Sequence, residues 1–278
     1  MGNAAADLSH TFAANRAVGR VALTVRPSAG TTRRARVSEE GPLRVRCPGG
    51  APADELEAVI VNTAGGMAGG DHFTLDVTVA TDARLVVTTA AAEKVYRTLG
   101  PDTTVDVRLA VGTGGRLAWL PQETILFDRA RLKRSIEIDL AADARLLLAE
   151  AMVFGRAGMG EVVDDSALFD RWRLRRDGAL VHAEAVRLDG AVADKLAQPA
   201  VTKAGVAVAT VLIVPGDDST AGAVRALSEH FRGEVGVSAW NGLAVARLVA
   251  ADGAALRHDL VALLAAVRDK PLPRLWLN

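Results

Sequence analysis

The chain has 278 residues, and its 33 basic and 33 acidic side chains give a formal net charge of zero. This balance argues against a general nucleic-acid-binding protein and against one that binds anionic membranes. Cys47 is the only cysteine, which excludes an intrachain disulfide. The N-terminus lacks an apolar signal core, and no apolar run reaches the roughly 18–20 residues that a membrane helix needs. We therefore expect a cytoplasmic protein.

Residues 1–16 are small and polar, and we predict that they are disordered. No linker-like change of composition divides the rest, so residues 17–278 are predicted to form a single β-rich domain. Period-two alternation predicts the first strands, through Val21, Leu23 and Val25 and then through Leu43, Val45 and a core cysteine, Cys47. The basic run from Thr31 to Arg36 is typical of an edge strand or a solvated face.

A glycine loop follows the apolar run Leu56 to Val61, and it spans Asn62 to Asp71 with glycines at 65, 66, 69 and 70. A phosphate-binding loop would continue with Lys-Ser or Lys-Thr and a helix. Here Asp71 and His72 follow, and the alternation from Phe73 to Val79 predicts a strand. The loop is therefore not a nucleotide site. Two interpretations of the glycines remain. The loop is a turn whose bare backbone lets a partner protein or a cation approach, or the glycines serve packing alone.

Alternating segments continue along most of the chain, and two Asp-Gly pairs, Asp177-Gly178 and Asp189-Gly190, predict turns between strands. Helical spacing is clear only late, after a cap at Ser219 or Thr220 and again from Ala254 to Arg268. A short helix around Ala91 to Thr98 is an additional option. The predicted fold is mainly β, with many short strands in layered or helical-type sheets and about two α-helices near the C-terminus.

Carboxylates are the candidate functional groups, because no nucleophile motif and no histidine or cysteine pair with metal-ligand spacing is present. Five acids occur among apolar or small residues, and Glu150 in the run from Leu146 to Val153 is the clearest. Buried acids need a partner. One interpretation is structural ion pairing, with Lys94, Arg97, Arg129 or Arg156 as the partner of Glu150. The other is an oxygen-lined route for a divalent cation. The five acids are Asp71, Glu93, Glu123, Glu150 and Glu161.

Five strings in order resemble the urease accessory protein UreD family, which is also called UreH. They are the glycine loop Asn62 to Asp71, Thr88-Thr89 with Glu93 to Arg97, Leu120 to Phe127, Phe154 to Arg156 with Gly158 to Glu161, and Pro271 to Trp276. The resemblance runs from about residue 20 to the end. Family members often have Gln where this chain has Ala90.

The resemblance implies a β-rich fold and a non-catalytic role in the maturation of urease. It implies binding to the urease structural subunits and to UreF, indirect association with the GTPase UreG, and help in delivering nickel. No cofactor is expected to be bound permanently, and nickel is expected only in transit. The oxygen donors predicted for this transient nickel passage are Asp71, Thr88, Thr89, Glu93, Glu123, Glu150 and Glu161.

Two other functions stay open on the sequence. A β-rich metal-dependent hydrolase would need Asp71, His72, Glu123 and Glu161 to converge on one metal, and their spacing gives no support for this convergence. A protein-interaction domain unrelated to nickel would need none of them.

Overall fold

The computed structural model describes residues 16–49, 54–98 and 100–277. The disorder predicted for residues 1–16 lies outside this part of the chain, apart from Arg16. One sheet has seven strands in the order β14-β13-β11-β8-β5-β1-β2. Its strands are β1 (Val18–Ser28), β2 (Thr31–Glu40), β5 (His72–Val79), β8 (Thr103–Val111), β11 (Arg131–Leu140), β13 (Asp165–Arg176) and β14 (Ala179–Ala191).

The second sheet has ten strands, eight of them in the order β16-β17-β15-β12-β9-β6-β4-β3, with β10 pairing with β12 and β7 pairing with β10. Its strands are β3 (Leu43–Arg46), β4 (Leu56–Asn62), β6 (Arg84–Thr89), β7 (Glu93–Val95), β9 (Arg116–Trp119), β10 (Thr124–Leu126), β12 (Arg145–Phe154), β15 (Ala207–Val214), β16 (Glu234–Trp240) and β17 (Leu243–Ala250). The α-helices are α1 (Val192–Ala197), α2 (Asp218–Arg225) and α3 (Gly253–Val267), and single 3-10 turns cover Ala157–Met159, Ser228–His230 and Arg274–Trp276.

The middle of the chain alternates between the two sheets. Strands β5, β8 and β11 lie in the first sheet, and β6, β9 and β12, which follow them along the chain, lie in the second. Neighbouring strands of this region are parallel. Parallel neighbours need a long crossover connection, and here a strand of the opposite sheet provides it. This arrangement confirms the mainly β, layered fold that the sequence predicts.

The main core lies between the two sheets, and alternation explains how it is filled. In β11, Leu132, Ile136 and Ile138 point inward and are buried, while Lys133, Ser135 and Glu137 are more exposed. A second core lies on the outer face of the ten-stranded sheet, where α3 packs with Leu256 and Leu260. Because β12 is covered on both faces, its run from Leu146 to Phe154 is apolar apart from Glu150 and does not alternate.

Helix α3 confirms the helix that the spacing from Ala254 to Arg268 predicts, and its N-cap is Asp252, whose side chain accepts from Ala255 N–H. Helix α2 begins two or three residues earlier than predicted, because Asp217 caps it in place of Ser219 or Thr220. No helix among the described residues is long and apolar enough to cross a membrane.

Three local predictions are wrong. The segment from Ala91 to Thr98 contains strand β7, because its backbone pairs with β10 and with Met67. Asp189-Gly190 lies inside β14, opposite Ser166 and Ala167 of β13. Cys47 follows the end of β3 and is half-buried at the edge of the core. Burial still raises the pKa of its thiol, although Arg34 opposes this shift.

The edge position of the basic run is confirmed, since β2 is the last strand of its sheet. The hairpin at Asp177-Gly178 is confirmed between β13 and β14, and both turn residues have positive φ. Helix α1 and the hairpin of β16 and β17 were not predicted from the sequence.

Candidate functional site

The glycine loop, residues 62–71, is closed by the carboxylate of Asp71. One oxygen of Asp71 accepts a hydrogen bond from the backbone N–H of Ala17 at 2.8 Å, and the other accepts from that of Ala68 at 2.7 Å. Asp71 is buried, and both of its oxygens are engaged in holding the loop. Asp71, whose position argues against a nucleotide site, therefore has a structural role in holding the loop.

The bare backbone of the loop is covered by the segment that follows β7. A Cβ atom on Gly66 would lie 2.5 Å from a ring carbon of Tyr96, and one on Gly69 would lie 1.9 Å from Oγ1 of Thr98. Glycine is required at both positions because only a residue without a side chain allows this approach. The close contact that the glycines permit is thus made by the chain itself.

An aromatic and charged cluster continues from the loop across the surface. The hydroxyl of Tyr96 donates to the carbonyl of Gly65 at 2.9 Å, and its ring meets Phe127 edge-on at a centroid distance of 5.2 Å. The guanidinium of Arg156 lies 4.3 Å from the centre of the Phe127 ring and forms hydrogen bonds of 2.8 and 3.0 Å to Glu161. The Arg156 hydrogen bonds lower the pKa of Glu161. Four of the strings that carry the resemblance meet in this cluster.

Three of the predicted oxygen donors line one cavity between the sheets. Thr89, Glu93 and Glu150 surround a space of about 70 Å³ whose other walls are mostly apolar. Glu93 accepts a hydrogen bond of 3.0 Å from the side-chain amide of Asn62. Burial raises the pKa of Glu93, and the Asn62 hydrogen bond offsets only part of this shift. Glu93 is therefore a carboxyl group that protonates more readily than an exposed one.

Glu150 belongs to a buried ion cluster with Arg134 and Asp170. Arg134 binds Glu150 through Nη1 and binds Asp170 through two hydrogen bonds of 3.0 and 2.6 Å. The indole N–H groups of Trp119 and Trp172 donate to Glu150 at 2.8 Å and to Asp170 at 3.1 Å. Burial raises the pKa of Glu150 despite these contacts. Burial alone would lower the pKa of Arg134. The neighbouring carboxylates of Asp170 and Glu150 outweigh burial and raise this pKa, so Arg134 stays charged.

The ion cluster lies at the boundary of two cavities. Arg134 and Glu150 line the 70 Å³ space and also a larger one of about 260 Å³, which extends between the far ends of the sheets. The larger cavity has mostly apolar walls, with Glu184 and Arg247 paired at 3.0 Å. Val186, on its rim, is 40% exposed. Arg134 and Glu150 thus form part of the walls of both cavities.

The sequence missed Arg134 and Asp170, although alternation carries the signal. Arg134 has the same parity as Leu132 and Ile136, which face the core of β11. Asp170 likewise has the parity of its buried neighbours in β13. The four partners proposed for Glu150, namely Lys94, Arg97, Arg129 and Arg156, are wrong, because its ion-pair partner is Arg134. Arg156 pairs instead with Glu161, another of the five acids.

Thr88 and Glu123 belong to a polar link between the ten-stranded sheet and α3. The side-chain amide of Gln122 donates to Thr88 at 3.3 Å, and its oxygen accepts from Arg257 at 2.6 Å. Glu123 lies 3.5 Å from the same guanidinium. The backbone N–H of Gln122 also donates to Thr89 at 2.9 Å. These contacts connect the Thr-Thr pair with the helix that covers it.

The described residues contain no group of three or more His, Cys, Asp or Glu side chains placed to hold a metal ion. Of the four residues that a hydrolase would need, each has its own partners. His72 contacts Thr104 and lies 3.8 Å from Asp106, Asp71 holds the glycine loop, and Glu161 pairs with Arg156 on the surface. The arrangement does not form a catalytic metal centre.

A family model described as UreD urease accessory protein matches residues 17–277. The chain belongs to this family. The urease accessory protein UreD of Rhodopseudomonas palustris is 55% identical over 271 residues, which cover 97% of this chain and 96% of that protein. That of Bradyrhizobium diazoefficiens is 54% identical, with 97% of each chain covered. UreD 3 of a Bradyrhizobium species is 53% identical over 277 residues, with 99% and 98% covered.

Membership confirms the resemblance that the five strings carry. The protein is a urease accessory protein and not an enzyme, which confirms the non-catalytic role predicted from the sequence. An accessory role in urease maturation implies contact with urease and with other accessory proteins.

Proposed function

We propose that this chain binds apo-urease and UreF, associates through UreF with the GTPase UreG, and helps to deliver nickel to urease. The observation that carries the nickel part is the pair of cavities between the sheets, which meet at Arg134 and Glu150. Nickel is cargo in this proposal and not a resident cofactor. The family supports the urease part, and the resemblance supports the partners.

The chemistry of the cavity walls suits brief contact with a cation. Thr89, Glu93 and Glu150 offer oxygen donors, and oxygen donors select less strongly for nickel than imidazole or thiolate do. Since the described residues form no cluster of three metal-binding side chains, an ion would be held loosely at each point. The other four predicted donors, Asp71, Thr88, Glu123 and Glu161, support the loop, the sheet and the surface cluster instead.

Glu93 is the donor best suited to exchange a proton for a cation. Among the residues that the structure describes, its carboxyl has one hydrogen-bond donor, Asn62, and burial raises its pKa. An arriving dication favours the ionised carboxylate and so releases a proton. Loading would therefore weaken as the pH falls.

The test is co-expression of Glu93→Gln with the urease operon, followed by the nickel content and activity of the purified urease. We expect lower nickel content, while the variant still co-purifies with urease and UreF. Glu229→Gln, on the exposed 3-10 turn, is the matched control and is expected to behave as wild type. Full nickel content with Glu93→Gln at limiting nickel would contradict passage along this cavity.

One observation favours a second candidate, a protein-interaction domain that carries no ion. Both carboxylate oxygens of Glu150 are already engaged, one by Trp119 and one by Arg134. A charged guanidinium also repels a dication. If Glu93→Gln and Glu150→Gln both leave the nickel content of urease unchanged while complex formation persists, the chain acts as a scaffold only.

A further inference from the structure

A surface basin lies beside the glycine loop, and three arginines line it. This arginine basin, of about 720 Å³, is bordered by Tyr96, Arg97, Phe127, Arg129 and Arg156, together with two acids. It is separate from the two interior cavities, whose lining residues it does not share. Neither the nickel route nor the polar link to α3 makes use of it.

The two acids of the arginine basin already accept hydrogen bonds from within the chain. Glu161 accepts from the side chain of Arg156 and from the backbone N–H groups of Arg156 and Asp128. One oxygen of Asp128 accepts from the backbone N–H groups of Asp164 and Asp165, at 2.9 and 3.1 Å. These hydrogen bonds hold the two carboxylates in the wall of the basin.

The arginines, by contrast, have unused donors. Arg97 is exposed and forms no ion pair with any residue that the structure describes. Arg129 is 63% exposed, and its nearest acid oxygen, on Asp128, is 3.6 Å away. A guanidinium carries five N–H donors in a planar fork that matches a carboxylate. The basin thus presents a surplus of donors suited to carboxylates from outside.

The backbone holds one of these arginines in an unfavourable conformation. Arg129 has a φ of +59°, where glycine or asparagine is the usual choice. Its carbonyl accepts from Thr98 N–H at 2.9 Å, and the next residue, Ala130, bridges to Arg97. These contacts place Arg97 and Arg129 on adjacent segments. Glycine would adopt this conformation with less strain, so the turn itself does not require an arginine at residue 129.

We propose that the arginine basin is a docking surface for a carboxylate-bearing segment of a partner protein. Tyr96, which lines the basin, is 36% exposed, and Met159, on the 3-10 turn that lies between Arg156 and Glu161 in sequence, is 73% exposed. Arginine, tyrosine and methionine are enriched in protein interfaces. Arg97 and Arg129 pair with the carboxylates, and the aromatic cluster under Arg156 keeps the surface rigid. The inference rests on the proposed function, because the partner belongs to the urease maturation system.

The test measures the affinity of the full chain for two probes separately, purified apo-urease and purified UreF, at low and at high NaCl. The variant is Arg97→Gln with Arg129→Gly, because glycine removes the guanidinium at residue 129 and relaxes its backbone. We expect affinity for one probe to fall at least about ten-fold, with a weaker salt dependence. Arg33→Gln with Arg36→Gln, on the exposed edge strand β2, removes the same charge elsewhere and is expected to stay within about two-fold of wild type.

Three other results would contradict the docking surface. If wild type binds a probe and the basin variant binds both probes equally well, the docking surface is overturned while the proposed function stands. If the control variant loses as much affinity as the basin variant, the attraction is general and the inference again fails. If wild type binds neither probe, the proposed function fails and the docking surface with it.

Discussion

Arg134 on β11 and Glu150 on β12 form an ion pair across the interior that connects the two sheets. Asp170 on β13 completes the cluster, and tryptophan indoles satisfy the remaining acceptors. Burying charges is tolerated only when each has partners of this quality. The cluster therefore serves the fold and, at the same time, sets the boundary between the cavities.

Removing Arg134 leaves two uncompensated carboxylates in the core. We expect Arg134→Met to lower the free energy of unfolding by about 3–5 kcal/mol, measured by urea denaturation at neutral pH. Arg131→Met is the control on the same strand, because Arg131 pairs with Asp102 at the exposed surface and its loss costs less than about 1 kcal/mol. Equal losses in the two variants would contradict the role of the buried cluster.

Glu93 makes stability depend on pH. Its pKa is raised in the folded protein by burial, so the folded state binds a proton more tightly than the unfolded state does. The contribution of Glu93 to stability is full below its ordinary pKa of about 4.5 and declines as the pH rises through the higher folded value. We expect Glu93→Gln to flatten this decline in urea denaturation series above pH 4.5. A variant curve parallel to wild type would contradict the assignment.

Glycine is required at residue 69 because a side chain there would clash with neighbouring atoms, and not because of its backbone dihedral angles. A Cβ atom there would lie 2.6 Å from the carbonyl oxygen of Pro101 as well as meeting Thr98. We expect Gly69→Ala to lower the free energy of unfolding by about 1–3 kcal/mol. Gly222→Ala, in α2 with no atom near the new Cβ, is expected to raise it by about 0.5–1 kcal/mol. Thermal unfolding of the two variants compares the predictions directly, and a harmless Gly69→Ala would contradict the packing account.

Trp276 anchors the C-terminal segment on the second core. It is buried, its indole N–H donates to the carbonyl of Leu120 at 2.9 Å, and Arg257 lies 5.3 Å from its ring centre. We expect Trp276→Ala to lower the free energy of unfolding by about 3–5 kcal/mol in urea denaturation. Trp276→Phe, which keeps much of the packing, is expected to lose less. Trp240→Ala is the control at a half-exposed ring, and a loss there as large as at Trp276 would count against the anchor.

Much of the fold was predictable because alternation records burial directly. Strands β8, β11 and β13 each show one buried and one less buried face. The exclusion of a nucleotide site followed from the strand β5 after the glycine loop. Strand β7 was not predictable, because three residues with a single partner strand carry too short a pattern. The hairpin of β16 and β17 has its turn at Asn241-Gly242, a recognised hairpin dipeptide, so its signal was present in the sequence.

The candidate site was predictable in its members but not in its grouping. The sequence identified Glu93 and Glu150 as acids among apolar residues, and the structure places both beside one cavity. It also ranked Asp71 and Glu161 with them, although their contacts are with the loop backbone and with Arg156. Carboxylates look alike in sequence, whereas their partners come from distant strands.

By itself, the sequence determined the β architecture, the family and the absence of a nucleotide loop, because these depend on local periodicity and on short strings. Only the tertiary structure decided that Arg134 is the partner of Glu150, because that pair joins different sheets and no spacing along the chain encodes it. The glycine loop shows the same division. Its glycines indicate that another group approaches the loop backbone closely. The fold shows that this group is the segment carrying Tyr96 and Thr98.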